Sequence, residues 1–296
     1  MPRRHYLLVL AQLLWRMRLD LLLMLALCLL VSLPQAGLKR DLITQSGVEA
    51  TLGIAVSVFL AFRNTQAINR WWEARSLWGV LVNQSRSWRD IVLTLLADRG
   101  VSAQKRIQLL RLQVLAVWLL NLELRNVARA PIRQRVLALA SQLGFPMAVT
   151  VQQVARARSG VIQDLFARGL LSELGRDALL RSVVVFHDAA GGLQKIRNTP
   201  LPSAYDAFVR LIAWLFGFEL FLDCFVEAQP LIGIALFAGF LTAERIGAYV
   251  EGPFDRDPSS LSLPLDQICL GISGDLLAEV NPFAQIATCS DPSVWT

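Results

Sequence analysis

Long apolar runs alternate along the chain with polar stretches that keep a helical period, and no strand-like alternation interrupts them. The organising stretch is 50–79, ATLGIAVSVFLAFRNTQAINRWWEARSLWG. It predicts one continuous helix that is apolar up to Phe62 and turns polar at Arg63 and Asn64. Gly53, Ser57 and Ala61 recur every four residues, the spacing that lets membrane helices approach closely. Ile54, Val58 and Phe62 recur at the same interval on an adjoining face and span roughly 12 Å of axis. If copies of this helix surrounded an axis, the three positions would form apolar rings, which can gate ions by dewetting. An ordinary buried membrane helix carries the same pattern, so spacing alone leaves both readings open.

The flanking segments extend the pattern. Residues 1–20 open with Arg3, Arg4 and His5 and continue as a periodic apolar run with Arg16 and Arg18, the signature of an amphipathic surface helix. Residues 19–33 form a first span once flanking residues bring it to the ~20 positions a bilayer requires. A cleaved signal peptide competes, but no clear small-residue cleavage site follows. A polar loop is expected at 34–49 and a second span at 50–62. Residues 63–205 hold most of the arginines, among them Arg70, Arg86, Arg89, Arg111, Arg125, Arg133 and Arg135, which places this helical region in the cytoplasm. Within it, 109–124 is too polar for a span, and Leu110, Val114, Val117, Trp118 and Leu122 mark one buried face. Helix breaks are expected at 98–102, Pro131, 144–146 and 159–160, and a helix over 171–195 that loosens at Gly191-Gly192. Thr199-Pro200-Leu201-Pro202 is a stiff turn.

A third span, 208–226, carries Glu219 and Asp223 on one face. They mark either a cation or proton path or a pair bonded to a neighbouring helix such as the one with Glu244 and Arg245. A fourth span covers 231–247, and an amphipathic helix 266–280. The expectation is an all-α protein with four transmembrane helices and a helical cytoplasmic domain. Its domains run 1–62, 63–205, 206–248 and 249–296, with both termini cytoplasmic.

Composition narrows the function. The 296 residues are 54% hydrophobic and 18% charged, with mean hydropathy +0.47, too apolar for a typical soluble protein. The net charge of +6 is first a matter of positive-inside loops. The arginines are spread among glutamates and apolar faces, so no nucleic-acid partner is expected. Cys28, Cys224, Cys269 and Cys289 are far apart without a CxxC pair, and His5 and His187 are isolated. Neither a disulfide framework, a metal site nor a cofactor is expected. No Ser/His/Asp set or Gly-rich phosphate loop points to catalysis. A proton-coupled secondary transporter using Glu219 and Asp223 is the alternative, although no internal repeat is visible.

Three blocks resemble the bestrophin family of ion channels in its bacterial form. They are 59–79, with its Phe-Arg-Asn junction and Trp-Glu-Ala-Arg; the Thr-Pro-Leu-Pro turn with Tyr205; and Glu244, Glu251, Pro253 and Phe254 followed by Leu-Pro-Leu-Asp-Gln-Ile-Cys at 263–269. The resemblance covers residues 1–280 and implies a homopentamer in the bacterial inner membrane, with one pore, four spans per subunit and a cytoplasmic funnel. It places Ile54, Val58 and Phe62 at the neck and a second aperture near Val183. Arg63, Asn64, Glu73, Arg75, Pro253 and Phe254 become junction residues. Animal members are calcium-activated chloride channels with a dense acidic run after the Pro-Phe pair. Here only Asp255 and Asp257 follow, split by Arg256, a poor set for a cation that takes about 6–8 oxygens. The implied function is a passive channel, not calcium-gated, whose partners are membrane lipid and monovalent ions, either chloride or cations.

Overall fold

The computed structural model describes residues 3–32, 46–97, 100–125, 130–254 and 262–286. Its helices are α1 (Arg3–Arg16), α2 (Arg18–Ser32), α3 (Ser46–Ala97), α4 (Ala103–Arg125), α5 (Ala130–Gln142), α6 (Val151–Ala167), α7 (Glu173–Asn198), α8 (Ser203–Val226), α9 (Pro230–Glu251) and α10 (Leu265–Leu277). A short 3-10 turn, Ala278–Val280, follows. Asp255, Asp257 and Cys289 lie outside the described residues, as does the loop expected at 34–49 up to residue 45; from Ser46 the chain is already helical. The described residues fall into two compact units. The first takes α1, α2, α3 as far as Trp71, α8 and α9; the second takes the rest of α3, α4 to α7 and α10.

In the first unit, α1 and α2 meet at Met17, where the backbone ladder continues through Met17 N–H to Leu13 O (3.0 Å) and Leu21 N–H to Met17 O (2.9 Å). The junction is therefore a bend rather than a break. Helices α8 and α9 form a hairpin whose turn is closed by Gln229 N–H on Cys224 O at 2.7 Å. The two helices approach closely at Gly217, where a Cβ would stand 2.2 Å from Phe237 Cδ2. Around that contact Phe237 meets Trp214 edge-on at 5.5 Å, and Met17, Met24, Cys28, Phe221 and Leu241 complete the cluster. Val56 and Leu60 of α3 pack on Val209 and Phe216 of α8.

Helix α4 is the axis of the second unit. Leu109, Leu110 and every residue from Leu112 to Asn121 are buried, which corrects the expectation of a single apolar face. The cause is that α5, α6, α7 and α10 all pack on it. By length and apolarity alone α4 could cross a membrane, but 72% of its most apolar stretch is buried inside the fold. Its polar residues are used internally. Trp118 Nε1–H donates to Ser273 Oγ at 2.9 Å, and Asn121 Nδ2–H to Asp266 Oδ1 at 2.8 Å. Gln113 donates to Gln84 Oε1 at 2.7 Å, Gln84 donates to Ser182 Oγ at 2.8 Å, and Gln113 Oε1 accepts from Arg158.

Two expected breaks are absent. Helix α6 runs through Ser159 and Gly160, with Ser159 Oγ–H donating back to Ala155 O at 3.3 Å. Helix α7 runs through Gly191 and Gly192 to Asn198. Gly192 admits a neighbouring helix instead, since a Cβ there would stand 2.8 Å from Leu77 Cδ1. The breaks expected at Pro131 and at 144–146 fall at the start and just past the end of α5, where Gly144 takes φ +81°.

Candidate functional site

Helix α3 presents opposite characters on its two sides in the first unit. Val56, Leu60, Arg63 and Ala67 turn inward and are buried. Ile54, Val58 and Phe62 turn outward and are 68%, 46% and 61% exposed, with Ser57 and Ala61 exposed beside them. The large apolar side chains at i, i+4 and i+8 thus form a stripe that the other described residues do not cover. Gly53 lies off this stripe and faces Phe216, whose Cζ would stand 2.8 Å from a Cβ. The small-residue ridge is therefore split: Gly53 meets α8, and Ser57 and Ala61 stay open.

Directly after Phe62 the chain turns a cation inward. Arg63 is 1% exposed. It pairs with Asp206 and donates from Nη1 to the backbone oxygen of Glu244 at 2.7 Å. The same nitrogen stands 3.4 Å from Glu244 Oε1, at ion-pair distance. Arg245 Nε lies 3.2 Å from Glu244 Oε2 and 2.9 Å from Asp20 Oδ2, and Arg210 Nη2 reaches Asp20 Oδ1 at 2.7 Å. A chain of alternating charges therefore ties α2, α3, α8 and α9 together. Such a chain answers the cost of burying a cation, because a partly paired buried charge is strongly destabilising. Asn64 adds a bond from Nδ2 to Ala243 O at 3.2 Å. Gly247 makes room for it, since a Cβ there would stand 2.0 Å from Asn64 Oδ1.

The remaining candidates separate. Glu73 and Arg75 are exposed on α3, and Pro253 and Phe254 are buried. Glu251 accepts from Leu201 N–H at 2.9 Å, fixing the Thr-Pro-Leu-Pro turn. Val183, expected near an aperture, is only 4% exposed, on the face of α7 shared with Ser182 and Phe186, whereas Val184 is 56% exposed. Glu244 and Arg245 of α9 pair with Arg63 and Asp20, while Glu219 and Asp223 lie on α8, which packs along α9. Along α8, Glu219 stands about 20 Å and Asp223 about 25 Å from Asp206, at the other end of the helix. Asp20, Asp206 and Arg210 are members of the cluster that sequence pattern does not single out. The usable signal was a charge at the edge of each apolar run, where an ion usually has a partner.

Among the described residues no group of three or more His, Cys, Asp or Glu side chains could hold a metal ion. What the fold and this face define is an all-helical membrane protein with an uncovered apolar stripe on one helix and a charged clasp behind it. The profile of the bacterial and fungal bestrophin proteins matches residues 4–278. The chain belongs to the bestrophin family, whose members are ion channels and not enzymes. It is 30% identical over 277 residues to the voltage-dependent anion channel-forming protein YneE of Salmonella typhi, covering 88% of this chain and 84% of that one. A second relative, the voltage-dependent anion channel-forming protein sll1024 of Synechocystis, is 29% identical over 79% of this chain and 78% of its own. The crystal structure of a bacterial bestrophin homologue from Klebsiella pneumoniae shares the fold at TM-score 0.72 and 22% identity, covering 90% of this chain and 98% of that one.

Proposed function

We propose that this chain forms a passive anion channel, a homopentamer in the bacterial inner membrane with both termini on the cytoplasmic side. Helices α2, α3, α8 and α9 are the four spans of each subunit. The α3 helices gather round the axis and turn Ile54, Val58 and Phe62 toward a shared passage. One observation carries this reading: the three side chains are exposed as a set, while Arg63, the next residue along, is shut into the subunit by Glu244 and Asp206. The clasp fixes the rotation of α3, so the apolar stripe has one outward direction. The names of the relatives support anion as the permeant sign. Apolar rings carry no charge of their own, so selectivity at such a neck depends on the cost of dehydrating each ion.

Helix α7 supplies the second constriction through Val184, which stands in an exposed row with Asp177, Arg181, Asp188 and Lys195. Calcium has no part in gating. The deciding experiment is a bilayer recording of purified protein under asymmetric potassium chloride. The reversal potential is expected to move toward that of chloride, and movement toward that of potassium sinks the anion assignment. Flux that saturates and couples to protons would favour the transporter instead.

A further inference from the structure

We propose that the second unit carries a binding site for a small phosphate-bearing anion, in the pocket between the first turns of α4 and the end of α5. The pocket has a volume of about 540 Å³, and its polar lining is Ser102, Gln104, Lys105, Gln108, Arg111 and Gln142. Helical spacing sets the lining: Gln104, Gln108 and Arg111 share one face of α4, with Lys105 beside it. At the other wall, Gly144 in the left-handed region and the bond from Phe145 N–H to Ala140 O (2.9 Å) turn the chain back after Gln142. Ile107 and Leu143 supply the apolar part of the wall.

The charge of this lining points to an anion. Lys105 and Arg111 are its charged members, and no carboxylate is among the described residues that form it. Other cations of the same unit have acids beside them: Arg86 with Asp275, Arg168 with Asp164 and Arg181 with Asp177. Neither Lys105 nor Arg111 has such a partner among the described residues, and the buried Nε of Arg111 makes no hydrogen bond. The first turn of α4 holds no acidic residue either.

Size and donor set select the class within anions. The space far exceeds a bare halide and lies in the range of about 300–1,000 Å³ used by small organic ligands. A guanidinium offers a planar fork to two oxygens, an ammonium a point charge, and the glutamine amides and serine hydroxyl offer further donors. That set suits a phosphoryl group, with Ile107 and Leu143 facing the carbon body attached to it. The phosphoryl group can come from a soluble ester or from a lipid headgroup.

The test uses the full chain purified in detergent, titrated calorimetrically with inorganic pyrophosphate and with glycerol 3-phosphate. One saturable site per chain is expected. The K105Q/R111Q variant should weaken it about tenfold or more, the scale of losing charge-assisted hydrogen bonds. Gln108→Glu, which adds an acid without removing a side chain, should weaken it likewise. Repeating the titration in nanodiscs separates the sources: phosphatidylglycerol, compared with phosphatidylcholine, lowers pyrophosphate affinity if the lipid headgroup occupies the pocket, and leaves it unchanged if the ligand is soluble. Absence of saturable binding overturns the proposal, as does equal affinity in Gln108→Glu. Dissociation of the oligomer in both variants also overturns it, since the pocket would then be a subunit contact.

Discussion

Arg63 and Glu244 are 181 positions apart in sequence, meet at 3.4 Å, and are each 1% exposed. Each has a second partner of opposite charge, Asp206 for the arginine and Arg245 for the glutamate. Removing Arg63 leaves the buried Glu244 short of a counter-charge. Arg63→Met is expected to destabilise the subunit by about 3–5 kcal/mol, the usual scale for breaking a buried pair. Arg63→Met combined with Glu244→Leu should cost less than Arg63→Met alone. Denaturant unfolding in detergent measures both, and a double variant at least as unstable as the single one would refute the pairwise account.

The outward stripe of α3 predicts a conductance phenotype. Replacing Ile54, Val58 and Phe62 together with Ala should raise single-channel conductance without lowering expression, because these side chains support no core of their own subunit. Unchanged current and selectivity in the triple variant would remove them from the conduction path.

Val183 and Val184 are adjacent and should behave oppositely. Val183→Ala removes buried volume and should cost about 1–2 kcal/mol of stability while leaving current alone. Val184→Glu should leave stability nearly unchanged and reduce anion current by adding an acid to the exposed row. A reversed pattern would return the aperture to Val183.

Gly217 tests the α8–α9 contact. Gly217→Val adds a Cβ that would stand 2.2 Å from the Phe237 ring and two further carbons beyond it, so the helices must part. The expected result is a loss of folded protein, read as yield after size exclusion. Pairing it with Phe237→Ala should recover part of that yield by opening the space.

Arg158 gives a pH-dependent prediction. It is fully buried beside the rings of Phe186 (4.5 Å) and Trp88 (5.3 Å), and its Nε and Nη2 have no hydrogen-bond partner among the described residues. Burial pulls its pKa down to about 9. The unfolded chain thus holds this proton more tightly than the folded one, and stability rises with pH between about 9 and the ordinary arginine value. At neutral pH the cost of the charge is fully present, so Arg158→Met should raise stability by about 1–3 kcal/mol. That advantage should shrink as the pH passes about 9. A less stable variant at pH 7 would show that the ring contacts and the bond to Gln113 Oε1 outweigh the cost of burial.

Local chemistry explains which features could be read from the sequence. The step from Phe62 to Arg63 is abrupt, and the structure leaves the first exposed and buries the second. The helices themselves were legible because apolar period and turn residues agree over most of the chain. Gly160 and Gly192 misled, since a glycine inside a helix looks like a break whether or not a neighbour such as Leu77 needs the space. Helix α4 looked one-faced because Gln113 and Asn121 count as polar, yet both are hydrogen-bonded within the core. The run Val183-Val184-Val185 holds no asymmetry from which register could be read. Asp20 meets Arg210 across 190 positions, a partnership that no local pattern encodes.

The clasp around Arg63 has an electrical consequence. Its six members are three acids, Asp20, Asp206 and Glu244, and three guanidinia, Arg63, Arg210 and Arg245. A membrane voltage does work only on unbalanced charge, about 2.3 kcal/mol per elementary charge per 100 mV. A concerted shift of this cluster carries formally none, so the field cannot pull on α3 through it. Any voltage sensitivity in this protein must enter through groups that move without their counter-ions.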